Sequence, residues 1–397
     1  MSADVPAGAA PARVAFYNNP KVRAVAYQVA LCAIIGFLVY EAASNAIVNL
    51  QRAHIASGFG FWDNTAGFDI SQTLIEFNSS TSTYGRAFWV GLLNTLLVAA
   101  LGIVFATVLG FIVGIGRLSS NFLVAKACTG YVEIIRNIPL LLQLLFWYNA
   151  VLKALPDTRE SYNLPFHSFL NNRGFVLPKP IGQSGEGVLW LLILAGFIGA
   201  IVFRFWAKRR QEATGQQAPV FLAGAAMVII PAALYILALG LPYTFDLPQR
   251  GRFNLTGGLE VAPEFVALLF GLSIYTASFI AEVVRAGILA VSRGQSEAAF
   301  ALGLRPGTAL RLIVLPQAMR VILPPLTSQY LNLTKNSSLA VAIGYPDLVQ
   351  IFTGTVLNQT GQAVEVVAIT MAVYLTISLT TSIAMNFYNS RIALVER

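Results

Sequence analysis

The sequence predicts an all-α protein that crosses a membrane about eight times. Of its 397 residues, 56% are hydrophobic and only 11% are charged, whereas a soluble domain carries about 25% charged residues. Several apolar runs reach or exceed the roughly 20 residues that an α-helix needs to span a bilayer. The period-two alternation that a membrane β-barrel requires is absent from these runs.

The eight predicted spans alternate with segments that contain turn-forming residues. Proline and glycine punctuate the long interruption before residue 264, and Pro263 is expected to open the sixth helix, because its missing N–H costs nothing in a first helical turn. The spans cover about residues 24–46, 87–116, 128–152, 187–206, 218–240, 264–290, 321–344 and 366–388.

Charge placement orients these spans. Loops on one predicted side are rich in lysine and arginine, including Arg117, Lys126, Lys208 and Arg293, and the cytoplasmic loops of membrane proteins carry such an excess. An even number of spans then puts both termini in the cytoplasm. The net charge of +8 therefore reflects topology, and no basic stripe interleaved with exposed aromatic residues indicates nucleic-acid binding.

The segment 291–320 is a polar, helix-forming loop on the predicted cytoplasmic side. Ser292 is expected to cap a short helix, with Gln295 reciprocating three residues later, and Gly303 is expected to end that helix in a left-handed conformation. An alanine-rich helix this slim fits a groove of a partner protein, where Glu297 can meet a basic or amide donor. The alternative is an ordinary amphipathic loop at the membrane surface.

The spacing of seven residues in this loop resembles the coupling loop of bacterial ABC-importer permeases. These positions are Glu297, Ala298, Ala299, Gly303, Ile313, Leu315 and Pro316. The resemblance implies that they couple the chain to an ATPase. Because the chain has no P-loop motif, a separate subunit must bind the ATP and Mg²⁺, and we expect no cofactor on this chain.

Two further blocks narrow the family. Glu133–Gln143 and Leu333–Leu339 resemble permeases of polar amino-acid uptake systems, and the chain is most similar to the larger permease subunit of general L-amino-acid importers. That resemblance implies a type I permease core of five helices, namely spans two, three, six, seven and eight. It also implies two ATPase copies, a related second permease in a heterodimer, and a periplasmic amino-acid-binding protein.

The resemblance also divides the chain into segments. From hydropathy and charge placement, we expect residues 1–23 to be a cytoplasmic tail and residues 24–86 to hold the first membrane helix and a periplasmic segment. Residues 87–392 form an ABC transmembrane type-1 permease domain, into which 154–262 inserts two helices and an outer loop. The coupling loop at 291–320 belongs to this domain.

Charged residues inside the spans are candidates for the transport pathway, because each costs about 2.5–3.5 kcal/mol near a bilayer centre. Glu133 and Arg136 are three residues apart, a spacing at which two side chains on one helix can neutralise each other. Glu282 and Arg285 have the same spacing. Lys335 lies about 21 Å into its span with no acid within four positions, so it needs a partner from another helix or a ligand carboxylate.

A zwitterionic amino acid needs a cationic donor for its carboxylate and an acceptor for its ammonium group. Lys335 or Arg136 suits the first task, and Glu133 or nearby amide oxygens suit the second. The candidate pathway residues are Glu133, Arg136, Gln143, Gln329, Asn332, Lys335 and Asn336. No metal site is expected, because the two histidines, His54 and His167, fall in separate outer loops.

Two other functions are open at this stage. An ion-gradient-driven secondary transporter would use Glu133 or Glu282 as a proton site, but the inverted repeats typical of that class are not evident in the sequence. A membrane-embedded enzyme would need converging histidine, acid and serine groups, and no nucleophile motif is present. The sequence therefore favours an ATP-driven importer, in which ATP binds one state of the assembly better than the other.

Overall fold

The computed structural model describes residues 20–52, 57–251 and 254–392. Within these ranges, seven helices are long and apolar enough to cross a membrane, or eight if one bent pair counts as a single span. The prediction of a polytopic α-helical fold with about eight spans is confirmed. Residues 1–19 of the predicted tail and His54 lie outside the described residues.

Helices make up most of the described chain, and short strands occur within one segment. The helices are α1 (Pro20–Arg52), α2 (Tyr84–Gly116), α3 (Phe122–Asn137), α4 (Leu140–Leu145), α5 (Glu186–Thr214), α6 (Val220–Leu239), α7 (Pro263–Leu289), α8 (Arg293–Ala301), α9 (Pro306–Ala309), α10 (Leu315–Asn336), α11 (Leu357–Thr360) and α12 (Ala363–Ile392). The strands are β1 (Tyr162–Leu164), β2 (Ser168–Asn171), β3 (Gly174–Leu177), β4 (Lys179–Gly182), β5 (Tyr243–Asp246), β6 (Gln249–Arg250), β7 (Leu255–Thr256) and β8 (Leu259–Val261).

The third predicted span is broken. The prediction of one continuous helix over 128–152 is wrong, because α3 and the helical segment Leu140–Leu152 meet at an angle of 104°. Pro139 has no N–H for the helical ladder and forces the preceding residue, Ile138, into an extended conformation. The side-chain amide of Gln143 donates to the carbonyl oxygens of Ile135 and Ile138, both at 2.9 Å, and so holds the bend.

The tightly packed centre of the molecule is formed by α2, α7 and α10. A Cβ atom at Gly110 of α2 would lie 2.6 Å from Cβ of Ile280, and one at Gly114 would lie 2.7 Å from the carbonyl oxygen of Ala281. The hydrophobic effect does not drive helices together in a bilayer, because lipid tails are as apolar as the side chains. Close packing drives their association instead, and small residues favour it because they let two backbones approach. The two glycines therefore bring α2 directly against α7.

The seventh predicted span begins earlier than the sequence indicated. The prediction started this helix at residue 321, but a helical stretch runs from Pro306 to Ile343, and its later part includes α10. Its polar first turns carry the second half of the predicted coupling loop. Hydropathy detected only the apolar part, because the membrane helix continues without a break into the loop.

The inserted segment contains the two predicted helices, α5 and α6, which pack closely where Gly196 meets the backbone of Met227. The predicted outer loop is instead a set of short antiparallel strands from residues 162–182 and 243–261, which we call the outer β-module. Its main sheet has the order β1-β2-β3-β8, β4 pairs with β5, and β6 pairs with β7. Strands of two to four residues are too short for a periodic hydrophobic pattern to reveal them.

The outer β-module is attached to the helical core at the start of α7. β8 ends at Val261, and Pro263 opens α7 as predicted. Phe175 of β3 pairs with Val261, and both side chains pack against the hydrophobic cluster that contains Phe265 and Leu268. The sheet and the central helix are therefore joined both covalently and by packing.

Candidate coupling loop and transport pathway

Helix α8 carries the first half of the predicted coupling motif and ends as the sequence predicted. Gly303 has φ of +75°, and its N–H donates to the carbonyl oxygen of Phe300 at 2.9 Å. The N–H of Leu304 donates to the carbonyl oxygen of Ala299 at 3.1 Å. Glycine adopts this left-handed conformation without penalty, so the predicted C-terminal cap is confirmed.

The start of α8 differs from the prediction. The predicted capping box is wrong, because Ser292 makes no side-chain capping hydrogen bond. Gln295 instead accepts a hydrogen bond from the side-chain amide of Gln317 in α10, at 3.3 Å. The side chain of Gln295, which the local sequence assigned to the cap, thus binds a residue 22 positions away. This hydrogen bond connects α8 to α10.

One side of α8 is buried and the other is open. Ala299 is 1% exposed, whereas Glu297 and Ala298 are exposed. Within residues 20–52, 57–251 and 254–392, no ion pair or side-chain hydrogen bond engages the Glu297 carboxylate. Phe300 and Leu302 are 51% and 80% exposed. An open acid beside open apolar side chains suits the groove of a partner protein.

The second half of the motif lies where a π-helical turn, Leu310–Val314, passes into α10. Ile313 is in the turn, and Leu315 and Pro316 open the helix. Pro316 has no N–H to complete an α-helical ladder, which accounts for the wider turn before it. The Gln317 amide donates to the carbonyl oxygen of Ile313 at 3.1 Å, so this half of the motif is part of a rigid helix start.

An ionic cluster joins α2, α3 and α7 near the coupling loop. Arg117, which follows α2, forms an ion pair with Glu282 of α7, and Arg285 binds the same carboxylate at 2.6 Å. Glu133 of α3 lies 4.0 Å from Arg117. The Arg117 side chain is only 10% exposed, so the Glu282 carboxylate replaces part of the water that the guanidinium lost on burial, while the buried Nε of Arg117 has no hydrogen-bond partner in the described part of the chain.

The two i,i+3 pairs therefore behave differently. Glu282 and Arg285 neutralise each other as the spacing allowed. Glu133 does not pair with Arg136, because it faces Arg117, and the Arg136 guanidinium lies 4.9 Å from the ring centroid of Phe279. Such a position over an aromatic face is favourable for a cation. The interpretation of Glu133 and Arg136 as a self-neutralised pair is wrong.

Four of the seven candidate pathway residues form a polar stripe on α10. Asn332 and Lys335 are exposed, and Gln329 and Asn336 are half-buried; their positions recur at the three- and four-residue spacing of one helix face. An apolar face packs into the core through Ile322, Leu326 and Leu333, each at most 3% exposed. These three residues lie seven before, three before and four after Gln329, so the half-buried part of the stripe borders the apolar face. Helix α10 therefore has an apolar buried face beside a polar face that is open at Asn332 and Lys335.

The other three candidates lie elsewhere. Glu133 belongs to the ionic cluster, Arg136 lies over Phe279, and the amide of Gln143 donates within the bend between α3 and α4. In the part of the chain that the structure covers, no hydrogen bond links these three residues to the α10 stripe. The structure thus separates the predicted set into two groups.

Comparison with known proteins decides the family. A model described as the binding-protein-dependent transport system inner membrane component matches residues 219–394. The general L-amino acid transport system permease protein AapQ of Rhizobium johnstonii is 54% identical over 97% of this chain and 96% of its own length. The putative amino-acid ABC transporter permease protein YhdX of Escherichia coli is 50% identical over 96% of this chain and 97% of its own length. The chain belongs to the ABC-importer permease family.

A more distant relative agrees with this assignment. The glutamate/glutamine/aspartate/asparagine transport system permease protein BztB of Rhodobacter capsulatus is 42% identical over 89% of this chain and 90% of its own length. A solved structure described as an amino acid ABC transporter with histidines covers 78% of this chain and 95% of its own, with a TM-score of 0.46 and 22% identity; a likeness this weak carries no weight. A permease of this family is a transport component rather than an enzyme, and it works with an ATPase and a binding protein.

One polar group of this permease was missed by the sequence analysis. Asp347 is fully buried; it accepts hydrogen bonds from the N–H of Gln350 at 2.8 Å and from the hydroxyl of Tyr374 at 3.2 Å. The N–H of the neighbouring Leu348 donates to the hydroxyl of Thr95 at 3.0 Å. These contacts join the turn after Ile343 to α2 and α12. The only feature of the sequence that could have indicated a structural role for Asp347 is its position just after the predicted span 321–344.

Proposed function

We propose that the chain is one of a pair of permease subunits through which an ATP-driven importer moves L-amino acids across the bacterial inner membrane into the cytoplasm. The observation that carries this proposal is the 54% identity, over 97% of this chain, with a permease named for general L-amino-acid transport. A second relative is named for glutamate, glutamine, aspartate and asparagine, which favours small polar amino acids. Both termini lie in the cytoplasm in this proposal, with α8 on the same side.

ATP-driven closure acts through α8. The exposed Glu297 and the apolar Phe300 and Leu302 enter a groove of the ATPase. The buried Ala299 packs α8 against the rest of the permease, so that α8 and the membrane helices move together. Each permease presents one such helix, so two ATPase copies require two permeases, and a related second chain completes a heterodimer. This chain binds no cofactor itself, and ATP with Mg²⁺ is held by the ATPase pair.

The α10 stripe supports a polar route for the substrate. A lysine and three amides facing hydrocarbon would be costly, so the stripe faces a water-filled path between the two permeases. The Lys335 ammonium takes the substrate carboxylate, and amide oxygens of Gln329, Asn332 and Asn336 take the substrate ammonium group. No feature of the relatives favours an ion-gradient-driven transporter.

Purification of the tagged chain from gently solubilised membranes tests this function. We expect an ATPase and a second permease to copurify, both identifiable by mass spectrometry. The assembly, reconstituted in vesicles with the purified binding protein outside and ATP inside, is expected to accumulate radiolabelled glutamate or glutamine. Accumulation without ATP, or a chain that is purified alone and transports in that form, would contradict the proposal.

A further inference from the structure

The tip of the β1–β2 hairpin carries an unusual aromatic residue. Phe166 is 88% exposed, the highest value among the large hydrophobic side chains that the structure describes. Phe166 and His167 have φ of 60° and 52°, in the left-handed region that bulky residues rarely adopt. Such a backbone persists where the surrounding structure holds it, and it is typical of functional loops.

The base of this hairpin is held from the other half of the outer β-module. Arg250 of β6 donates to the carbonyl oxygen of Ser161 at 2.8 Å and to the side-chain oxygen of Asn163 at 3.0 Å. Its guanidinium also lies 5.6 Å from the ring centroid of Phe169 in β2. The tip is thus presented on a braced hairpin, so a partner that binds it does not have to order the hairpin backbone first.

Strand register places the tip far from the membrane end of the sheet. Val261 of β8, which leads into α7, pairs with Phe175, so the start of β3 lies beside α7. Gly174 at that start pairs with Asn171 at the end of β2. The chain from Asn171 back to Phe166 covers about 16 Å at strand geometry. The aromatic tip therefore lies at the end of the sheet opposite the start of α7.

We propose that this tip, Pro165–His167, is a docking contact for the amino-acid-binding protein, with the Phe166 ring seated in an apolar depression on that protein. The inference rests on the proposed function. The family depends on a binding protein, which must meet the permease on the side opposite the ATPase. The outer β-module and α8 lie at opposite ends of α7, about 40 Å apart along that helix, so the ATPase cannot reach the tip. Contact of the tip with lipid is disfavoured, because the strand register places the tip at the end of the sheet opposite the start of α7.

The substitution Phe166→Gly tests the contact without straining the fold. Glycine adopts the same backbone conformation at no cost, so the change removes the ring and relieves the strain together. In the complete reconstituted importer, we expect the concentration of liganded binding protein that half-saturates ATP hydrolysis to rise about tenfold, as for loss of an interface anchor. Hydrolysis without binding protein stays unchanged, and Phe166→Tyr keeps nearly normal half-saturation.

Phe221→Ala provides the matched control. Phe221 is 86% exposed at the start of α6, the end of that helix remote from the outer β-module, and its loss is expected to leave half-saturation unchanged. Unchanged half-saturation in Phe166→Gly, with the wild type responding normally to binding protein, overturns the docking contact alone. A wild-type importer with no uptake dependent on binding protein overturns the proposed function as well.

A second measurement separates the binding protein from lipid and from the other permease. The protein has five native tryptophans, so the signal of Phe166→Trp is taken as its difference from the wild type under the same conditions. We expect this difference to change on addition of liganded binding protein and to be insensitive to brominated lipid before that addition. Quenching of the difference signal by brominated lipid in the absence of binding protein would place the ring in the bilayer. A photo-crosslinker at position 166 that captures the second permease would likewise overturn the proposal.

Discussion

Helices α6 and α7 are both apolar enough to span a membrane, but their burial is opposite. No residue of α6 is buried, although it is the more apolar of the two, whereas 61% of the most apolar window of α7 is buried. The buried set of α7 includes the polar Ser273, Thr276 and Ser278. Apolar character in a membrane chain reflects contact with lipid as much as contact with a core, and small or polar side chains mark the helices that pack together.

The two helices also differ in what they connect. Helix α7 connects the outer β-module to α8, whereas α6 connects the same module to α5 through a short turn over residues 215–219. We therefore expect changes in and around the core to alter transport or stability, and matching changes in the α5–α6 hairpin to be nearly silent. Each prediction below contrasts the two regions.

The largest effect is expected from Glu297→Lys in α8. The change places a positive charge where we propose that the ATPase groove meets the helix. Repulsion at an interface costs several kcal/mol, so ATP-driven uptake should fall by at least about a hundredfold. Uptake into vesicles that contain equal amounts of permease measures it. Glu212→Lys, which reverses an exposed acid of α5, is expected to transport normally. Normal uptake by Glu297→Lys would refute the coupling role.

A smaller loss is expected from Lys335→Met in the α10 stripe. Methionine keeps an unbranched apolar stem but removes the ammonium group that we propose pairs with the substrate carboxylate. A charge-assisted hydrogen bond contributes about 1.5–3 kcal/mol, so uptake should fall about tenfold or more while basal ATP hydrolysis stays unchanged. Lys208→Met, in an exposed position of α5, is the control. Equal uptake by the two variants would exclude Lys335 from the pathway.

Gly110→Leu is expected to destabilise the core. Its side chain would collide with Ile280, and overpacking typically costs about 1–3 kcal/mol. The temperature at which the purified permease aggregates in detergent measures the loss. At Gly199 of α5 an added Cβ meets only the Met227 sulfur at 3.7 Å, so Gly199→Leu should be tolerated. A similar loss in both would mean that α2 and α5 are packed alike.

The smallest effect is expected from Arg117→Gln, which leaves Glu133 and Glu282 with less positive charge nearby. Arg117 is mostly buried but its partners are partly open, so we expect a loss of about 1–2 kcal/mol, between values for exposed and fully buried pairs. Thermal aggregation again measures it. Arg209→Gln, at an exposed position of α5, should have no effect. Identical curves for the two variants would contradict a stabilising cluster.

The sequence predicted those features that depend on local composition. Hydropathy located the spans, and glycine at position 303 predicted the end of α8. It did not predict the pairing of Arg117 with Glu282, because these residues are 165 positions apart, nor the pairing of β3 with β8. The bend at Pro139 has a visible cause, but its angle depends on how Gln143 folds back. The role of the seven coupling residues remains a prediction, supported by the exposure of Glu297.

Helix α7 also has a mechanical consequence. A continuous helix of 27 residues is a stiff rod about 40 Å long, with only Ala262 between it and β8 and three residues between it and α8. A tilt of about 10° about one end would move the other by about 7 Å, from its length alone, more than one helical turn. A small tilt at the end of α7 that joins the outer β-module would thus displace the end that joins α8 by more than one helical turn.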